Sequence, residues 1–302
     1  MSTSLVSVCL CTFKRLSLID TIAGISIQNL PPGVSLEIIV IDSDLQRSAK
    51  KIIEDAKSRF NLEIKDFVAD KSGISSARNK AIKEATGEWL VFIDDDEVPD
   101  CNWIKCLLSC ASEFSSTVVF GEVKTIYPSG TPDWIVKENL FGKQLPATGT
   151  IVTHGPTSNA LVLRKLVENQ PYLFNEAFGV TGGEDTEFFY RLYKDGAKMV
   201  TSKESIVFET VEHHRLNKKF LIKKALRTGE TYFRIFIAER GRLVRFYYLL
   251  RALLQVMICW FASILLYPFN FGMHVKLMIL ASSNLGKLRS SIGAKQVELY
   301  KG

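Results

Sequence analysis

The amino-acid sequence predicts an α/β fold with a mostly parallel sheet flanked by helices, and two patterns predict it. Segments rich in β-branched and aromatic residues, typical of buried strands, lie at residues 5–11, 36–41 and 89–93. Segments with helical periodicity alternate with them, at residues 16–27, 47–60 and 75–85. Strands that alternate with helices in this way indicate parallel pairing through helical crossovers.

Length and composition agree with this fold class. The chain has 302 residues, of which 47% are hydrophobic and 23% charged, so it can bury a substantial core and is not a disordered chain. No basic segment precedes the first apolar run, which predicts a first strand rather than a signal peptide. Six cysteines without a paired framework fit a reducing compartment. We expect Cys106 and Cys110 to be small buried thiols rather than metal ligands.

Polar residues follow each of the three strands. They are the stretches TFKR (residues 12–15), DSD (42–44) and DDDE (94–97). Because the carboxyl ends of parallel strands meet at one edge of a sheet, we expect these stretches to lie together, where open α/β sheets bind their ligands.

The stretch GEWLVFIDDDE (residues 87–97) carries a buried strand directly into four acids. Because side chains alternate along a strand, we expect Asp94 and Asp96 to point the same way and Asp95 the opposite way. Two carboxylates on one side of a strand end would suit a hard divalent cation, which binds a few carboxylates plus phosphate oxygens. A solvated acidic turn is the alternative that this stretch alone leaves open.

A second candidate binding element is the stretch KSGISSARN (residues 71–79), in which a Gly turn precedes a Ser-rich helix start with Arg78 one turn inside. Backbone N–H groups and a guanidinium suit a diphosphate, although an ordinary capped helix with a surface arginine would show the same pattern. The sequence contains neither GxGxxG nor GxxxxGK[ST], so it has no dinucleotide fingerprint and no P-loop.

The middle of the chain is harder to assign. Residues 118–165 mix strand patterns with several prolines, which predicts irregular structure over the substrate, with antiparallel strands as one option. Further along, Gly182 and Gly183 precede a helix that begins with Glu184 and Asp185. The helix dipole favours carboxylates at that position, and an acidic N-terminal cap is the alternative explanation.

Six segments together resemble the family 2 glycosyltransferases, which have the GT-A fold. In chain order they are VSVCLCTFKR, IIVIDSD, SGISSARNKAI, GEWLVFIDDDEVP, SNALVLRK and GGEDTEFFYRL. One such segment is weak evidence, but six in the family's order and approximate spacing, covering residues 4 to about 215, are specific.

The resemblance implies transfer of a sugar from a nucleotide diphosphate donor, with the UDP type favoured, to a hydroxyl group with inversion at the anomeric carbon. Carried over by position, it implies that Asp42 contacts the nucleobase and that Thr12 and Arg15 line the same pocket. It also implies that Arg78 faces the base or the diphosphate.

The resemblance further implies a metal ion, Mn²⁺ or Mg²⁺, at the acidic stretch. Asp94 would lie by the ribose and the metal, Asp95 would belong to the nucleotide-binding set, and Asp96 would ligate the metal directly. Family members often place a histidine after a late strand as a further ligand, and this sequence has His213 and His214 in adjacent positions. Only one of two neighbours can face the ion, and we assign His213, with a pair of surface histidines as the alternative.

The general base implied by the resemblance is Asp185, with Glu184 as the substitute candidate. A metal and an arginine would neutralise charge that grows on the departing diphosphate. A carboxylate on the opposite side of the sugar would take the proton of the acceptor hydroxyl during in-line attack.

The C-terminal part of the chain carries most of the positive charge. The formal net charge is +6, but basic residues are concentrated between residues 215 and 251, which speaks against a nucleic-acid partner. An uncharged apolar run follows at residues 252–267, and a second one lies around residues 277–279 after the turn PFNFG. Two apolar helices preceded by basic residues predict a hairpin that dips into or lies on an anionic membrane surface. Packing on the catalytic region or on another subunit is the alternative.

We therefore predict a GT-A catalytic domain at residues 1–215 and a membrane-associating helical region at residues 216–302. The expected location is the cytoplasmic face of the cell membrane, and the expected acceptor is a lipid-linked saccharide of cell-surface polysaccharide synthesis. A nucleotidyltransferase is one rival, but it would be expected to have a Gly-rich basic loop at the position of the stretch TFKRLSL, which contains no glycine. A non-catalytic membrane-docking assembly protein is the other, and the intact Asp94, Asp96 and Asp185 argue against it.

Overall fold

The computed structural model describes residues 4–60, 62–142, 144–168, 170–178 and 181–298, and it confirms the α/β class. The strands of the sheet are β1 (Ser4–Thr12), β2 (Val34–Asp42), β3 (Ile64–Val68), β4 (Trp89–Asp94), β5 (Glu97–Pro99), β6 (Val118–Ile126), β7 (Ala160–Leu163) and β8 (Met199–Thr210). Their order across the sheet is β3-β2-β1-β4-β7-β6-β8-β5.

Helices connect and cover these strands. They are α1 (Leu18–Ser26), α2 (Lys50–Arg59), α3 (Ile74–Glu84), α4 (Trp103–Glu113), α5 (Asp133–Lys137), α6 (Lys165–Glu168), α7 (Glu184–Lys194), α8 (Lys218–Tyr232), α9 (Arg242–Leu266) and α10 (Phe271–Ser291). The predicted helix at residues 47–60 begins three residues late, at Lys50. Arg47 has a φ of 57°, and a left-handed residue cannot belong to a right-handed helix.

The sheet is mixed rather than uniformly parallel. The β1–β2, β1–β4 and β2–β3 pairs are parallel. In contrast, β7 pairs antiparallel with both β4 and β6. The middle of the chain therefore contributes antiparallel strands, as one of the two options for residues 118–165 anticipated.

Side-chain alternation divides the core between the two faces of the sheet. On β4, Val91 and Ile93 belong to the cluster formed with α1, α2 and α4. Leu90 and Phe92 belong to the opposite cluster, formed with α3 and α7. Continuing this period-two pattern puts Asp94 on the α3 and α7 side of the sheet.

The register brings the polar strand ends to one edge, as predicted. Thr12 lies opposite Asp42 in the β1–β2 pair, and Cys11 lies opposite Asp94 in the β1–β4 pair. The ends of the three strands thus form a continuous polar rim at the carboxyl edge of the parallel part of the sheet, which is the position where such sheets bind ligands.

The C-terminal helices form a packed group. A π-helix at Phe233–Ile237 joins α8 to the short connection before α9, and α10 packs against both α8 and α9. At the α8–α10 crossing, Gly229 and Gly286 bring the two backbones together, and a Cβ on either glycine would collide with the other helix's backbone. The predicted apolar runs lie inside α9 and α10, with a turn between them.

Candidate active site

Arg78 is the buried centre of the site. Its side chain projects from α3 toward Asp94, where Nη2 lies 3.4 Å from Oδ1, and toward Glu184 on α7, where Nη1 lies 2.7 Å from Oε1. The residue is only 7% exposed, and the Phe174 ring lies beneath the guanidinium at 5.6 Å. The structure thus has a buried guanidinium at this position, rather than the surface arginine that the sequence allowed as an alternative.

The charges around Arg78 depend on one another. Burial lowers the pKa of the Arg78 guanidinium, but the carboxylates of Glu184 and Asp94 outweigh burial and raise it above its usual range. Burial raises the pKa of Glu184, while Arg78 opposes that rise. The second carboxylate oxygen of Glu184, Oε2, is buried without a hydrogen-bond partner. Arg78 therefore favours the ionised form of Glu184 in this buried environment.

The acidic turn differs from the expected alternation. Strand β4 ends at Asp94, and Asp95 and Asp96 form a turn before β5, so the strand alternation on which the prediction for Asp94 and Asp96 rests does not extend to these residues. Asp94 contacts Arg78 on one side. Asp95 turns back toward β1, where it accepts a hydrogen bond of 2.7 Å from the Thr12 hydroxyl. Burial raises the pKa of Asp95 to about 6, although the Thr12 hydrogen bond opposes the rise.

Asp96 meets two guanidinium groups instead. Arg15 Nη1 lies 3.5 Å from Asp96 Oδ2, and Arg215 Nη2 lies 4.0 Å from the same oxygen. Arg15 also makes a close ion pair with Glu212, which in turn contacts Arg215. The predicted nucleobase-pocket residue Arg15 is thereby placed between the end of β1 and the segment after β8.

A group of carboxylates surrounds this turn. Desolvation raises the pKa of Asp94, Glu97 and Glu209 above their ordinary values, and charges of neighbouring carboxylates add to the rise in each case. Glu97 accepts a hydrogen bond of 2.9 Å from the Asp94 backbone N–H. Such a concentration of oxygen ligands and negative charge can take up an additional cation.

The protein groups do not form a complete metal cage. Across the described ranges, no three His, Cys, Asp or Glu side chains form a group that could hold a metal ion. Magnesium and similar ions are commonly bound by one or two carboxylates together with substrate phosphates, and the Asp94–Asp96 turn has carboxylates of the kind that such an arrangement needs.

The Asp42 carboxylate accepts hydrogen bonds from backbone N–H groups of its own loop. Its Oδ1 accepts a hydrogen bond of 2.9 Å from the Asp44 backbone N–H, and Oδ2 accepts one of 2.7 Å from that of Ala49. The residue is 3% exposed and lies on the face of β2 that packs toward α2. These bonds hold the loop after β2, and contact between Asp42 and a nucleobase stays a prediction.

The turn before α7 is closed by α8. Gly182 and Gly183 have φ values of 71° and 99°, in the left-handed region that favours glycine. A Cβ on Gly182 would collide with the Arg227 guanidinium, and one on Gly183 with Thr231. Asp185 follows in the first turn of α7, half-buried, and accepts a hydrogen bond of 2.6 Å from the Thr186 backbone N–H.

The two histidines lie on a single turn of 3₁₀-helix after β8 and are both exposed. His214 Nδ1 lies 2.9 Å from Glu212 Oε2. The choice of His213 over His214 as metal ligand stays a prediction.

Comparison with known proteins places this geometry in a family. The model of glycosyl transferase family 2 matches residues 7–170, which is more than half of the chain. The chain belongs to glycosyl transferase family 2. It is therefore a glycosyltransferase, and the matched residues include Arg78 and the whole acidic turn.

Relatives of this family 2 glycosyltransferase extend the match. The succinoglycan biosynthesis protein ExoM of Rhizobium meliloti (strain 1021) is 30% identical over 292 residues, covering 96% of this chain and 94% of that protein. The poly(ribitol-phosphate) beta-N-acetylglucosaminyltransferase TarS of Staphylococcus aureus (strain MW2) is 24% identical over 180 residues, covering 59% of this chain and 31% of that protein.

Solved structures share the GT-A fold. The crystal structure of S. aureus TarS 1-349 in complex with UDP-GlcNAc aligns with a TM-score of 0.54 and 15% identity, over 96% of this chain and 92% of that one. The crystal structure of GalNAc-T7 with UDP, GalNAc and Mn²⁺ aligns with a TM-score of 0.55 and 16% identity, over 76% of this chain and 50% of that one.

Sequence reasoning missed several residues of the glycosyltransferase site. Glu212 stands directly before the two histidines that were considered, but its ion pair with Arg15 joins positions far apart in the chain. Glu97 accepts a hydrogen bond from the Asp94 backbone N–H within the acidic turn, a contact that residue alternation along a strand does not predict. No local sequence pattern marks either contact.

Proposed function

We propose that this chain is an inverting, metal-dependent glycosyltransferase that moves a sugar from a nucleotide diphosphate sugar, of the UDP type, to a hydroxyl group of a lipid-linked saccharide. One observation supports the proposal: Arg78 and the acidic turn lie on one rim, and Asp185 lies in the first turn of α7. The rim supplies groups for a nucleotide diphosphate, and α7 supplies a carboxylate for the acceptor.

The donor would bind along the rim. The end of β1 and the loop held by Asp42 would border the nucleobase, as the family resemblance implies. Arg78 is rigidly held, because its guanidinium is paired on two sides and stacked on Phe174. A preorganised guanidinium stabilises negative charge without reorganising during the reaction.

The metal would be held by Asp96 and Asp94, with His213 as a further candidate ligand. When bound, Mn²⁺ or Mg²⁺ would neutralise negative charge on the departing diphosphate. Arg15 and Arg215 neutralise Asp96 in the structure described here, so a metal at this carboxylate would compete with those guanidinium groups. We expect Asp96 to exchange one cationic partner for another when the nucleotide arrives.

Asp185 would act as the general base. It would accept the proton of the acceptor hydroxyl as that oxygen attacks the anomeric carbon from the side opposite the diphosphate. Glu184 is the poorer candidate, because Arg78 already holds its Oε1 and the residue is only 7% exposed. Its proposed role is to position Arg78.

The acceptor class is supported by the C-terminal helices. The helix α9 is long and apolar enough to cross a membrane by length and composition, and only 11% of its most apolar window is buried. Large apolar side chains along it face outward, among them Phe246 (66% exposed), Trp260 (56%) and Phe261 (63%). An apolar surface of this size marks an interaction site rather than ordinary surface.

The charges on α9 favour a surface position over a crossing. Arg242, Arg245 and Arg251 lie in its first ten residues, and such charges attract anionic headgroups. The uncharged remainder, residues 252–266, is about 22 Å long, which is shorter than a hydrocarbon core of about 30 Å. We propose that α9 lies in the membrane interface on the cytoplasmic side, where a lipid-linked saccharide of polysaccharide synthesis would meet the site. The name of ExoM supports this pathway class.

The decisive test is metal-dependent donor binding. UDP is titrated calorimetrically into the full chain with and without Mn²⁺, and the same is done with Asp96→Asn. We expect Mn²⁺ to strengthen UDP binding to the unaltered protein, and Asp96→Asn to weaken the metal-dependent affinity by about tenfold or more.

Glu88→Gln is the matched control, because Glu88 is an exposed acid paired with Ser4 at the other end of β1. It should bind UDP normally. Equal Mn²⁺-dependent affinity in Asp96→Asn would remove Asp96 from the metal site. Absence of UDP binding under all conditions would contradict the proposed donor.

A further inference from the structure

A cluster of aromatic side chains lies beside the turn that precedes α7 and is outside the proposed donor site. It consists of His154, Tyr190, Tyr232 and Phe236, which we call the aromatic cluster. Phe236 is its centre, with ring centroids 4.9 Å from His154, 4.7 Å from Tyr190 and 4.9 Å from Tyr232. Each of the three neighbours is tilted or perpendicular to Phe236 rather than stacked flat on it.

The cluster is accessible to solvent. His154 is exposed and Tyr232 is 38% exposed, while Tyr190 and Phe236 are half-buried. The aromatic rings are bordered by groups that can form hydrogen bonds. These are the His154 ring nitrogens, the tyrosine hydroxyls and the Thr153 hydroxyl, whose oxygen lies 2.9 Å from Nδ1 of His154. An apolar surface with a few polar groups at its rim is the usual composition of a small-ligand site.

Two structural observations place the cluster on the side of the site where Asp185 lies. Tyr190 belongs to α7, the helix whose first turn carries Asp185. Arg234, two residues before Phe236, donates a hydrogen bond of 3.2 Å to the Thr181 hydroxyl in the turn that precedes α7. In agreement with this placement, partial burial lowers the pKa of His154 and the Asp185 charge opposes that fall. The cluster therefore lies on the Asp185 side of the site.

The backbone at Phe236 is unusual. Phe233–Ile237 is a π-helix, closed by a hydrogen bond of 2.8 Å from the Ala238 N–H to the Phe233 carbonyl. A π turn inserts an extra residue relative to an α-helix, and such turns are frequent at functional sites. Phe236 lies within this π turn, and its ring faces those of His154 and Tyr190. A plain continuation of α8 would rotate the following side chains by about 100°.

We propose that the aromatic cluster is the subsite for the acceptor saccharide, with a pyranose ring packed by its C–H face on Phe236 and its hydroxyl groups bonded to His154 and the tyrosine rim. This assignment rests on the proposed function, because it takes Asp185 as the base that the bound acceptor must reach. A flat aromatic surface tolerates many sugars, since most pyranoses offer an apolar face, while the polar rim fixes orientation.

Saturation-transfer difference NMR on the full chain tests the subsite. The protein is kept in a detergent without a sugar headgroup and loaded with UDP and Mn²⁺, and cellobiose, lactose and maltose serve as probes. We expect saturation transfer to ring protons of at least one disaccharide. His154→Ala and Phe236→Leu should weaken its binding by about fivefold, whereas Phe236→Tyr, which keeps the ring, should retain it.

Tyr247→Ala is the matched control, because Tyr247 is an exposed aromatic of α9 (60% exposed) whose ring packs on Tyr248. It should leave disaccharide binding unchanged. UDP affinity, measured on the same samples, should be equal in all variants. A fall in UDP affinity together with disaccharide binding would mean that the cluster only holds α8 against α7, and would overturn the subsite.

Two further results would also overturn it: equal disaccharide binding by Phe236→Leu and the unaltered protein, or no transfer to any of the three probes by protein that binds UDP. Failure of the unaltered protein to bind UDP would instead contradict the proposed function. The two hypotheses thus fail on different measurements.

Discussion

Glu37→Gln should lower the free energy of unfolding by about 3 kcal/mol at neutral pH, because Glu37 is a buried carboxylate held at the amino-terminal end of the sheet. The residue is 1% exposed. Its Oε1 accepts hydrogen bonds from the Thr86 backbone N–H at 2.7 Å and from the Gly87 N–H at 3.2 Å, and also from the hydroxyls of Ser7 and Thr86. Its Oε2 accepts one from Lys65 Nζ at 2.7 Å.

The magnitude follows from the ionisation of this carboxyl. Burial raises the pKa of Glu37, but the hydrogen bonds from Lys65, Ser7 and Thr86 outweigh burial and lower it from 4.5 to about 2. A fall of this size corresponds to about 3 kcal/mol of preference for the charged form in the folded state. Glutamine keeps the shape of the side chain but presents either neutral oxygen or a second N–H donor to Lys65.

The pH dependence gives the sharper test. Because the folded pKa lies below the unfolded one, the stabilisation is present above about pH 4.5 and is lost as the pH falls through about 2. The difference between the unaltered protein and Glu37→Gln should therefore narrow from about 3 kcal/mol at pH 7 to about 1.5 kcal/mol at pH 3. Urea unfolding at both pH values, followed by tryptophan fluorescence in one detergent buffer, measures it.

Glu88→Gln should stay within about 0.5 kcal/mol of the unaltered protein at either pH, because Glu88 is exposed. The reasoning would be refuted by a difference below about 1 kcal/mol for Glu37→Gln at pH 7. It would also be refuted by a difference that stays constant between pH 7 and pH 3, since neutral hydrogen bonds alone would then account for it.

Three further predictions concern the site and the membrane. Asp185→Asn should lower turnover by about two orders of magnitude or more while UDP affinity stays unchanged; weak UDP binding or normal turnover would make Asp185 structural. Arg78→Met should destabilise the fold by about 3–5 kcal/mol in urea unfolding, because it removes the guanidinium that pairs with the buried Glu184 carboxylate, and adding Glu184→Gln should recover part of the loss; no recovery would argue against the pair. The full chain should stay with membranes in high salt and leave them in detergent, because apolar burial by α9 is not screened by salt; release by salt alone would contradict the membrane proposal.

The sheet could be predicted well from the sequence because its central strands carry a strong local signal. The runs that became β1, β2 and β4 are apolar on both faces, and the structure shows why, since each is covered by helices on both sides. Short strands gave no such signal. The three-residue strand β5 contains a proline and follows directly on the acidic turn, so its pairing with β8 depends on tertiary context alone.

The site could be predicted in its residue types but not in its connections. The segments that carry Arg78, Asp94 and Asp185 were all identified, because each combines charge with a strand end or a helix start. The pairing of Arg78 with Glu184, which lies 106 positions away, has no local signature. Alternation along β4 applies as far as Asp94, and it does not extend to Asp95 and Asp96 because the strand has ended.

The glycine contacts between α7, α8 and α10 affect how this protein can be recombined. Gly182 and Gly183 lie against the Arg227 and Thr231 side chains of α8, and Gly229 of α8 lies against the backbone of α10 near Gly286, so these contacts leave no room for larger side chains at the glycine positions. A catalytic core joined to the C-terminal helices of a relative would meet mismatched surfaces at both interfaces. Exchange should succeed only when three parts are transplanted together, namely helix α8, helix α10 and the turn that precedes α7. Random single crossovers between residues 183 and 286 should seldom yield folded enzyme.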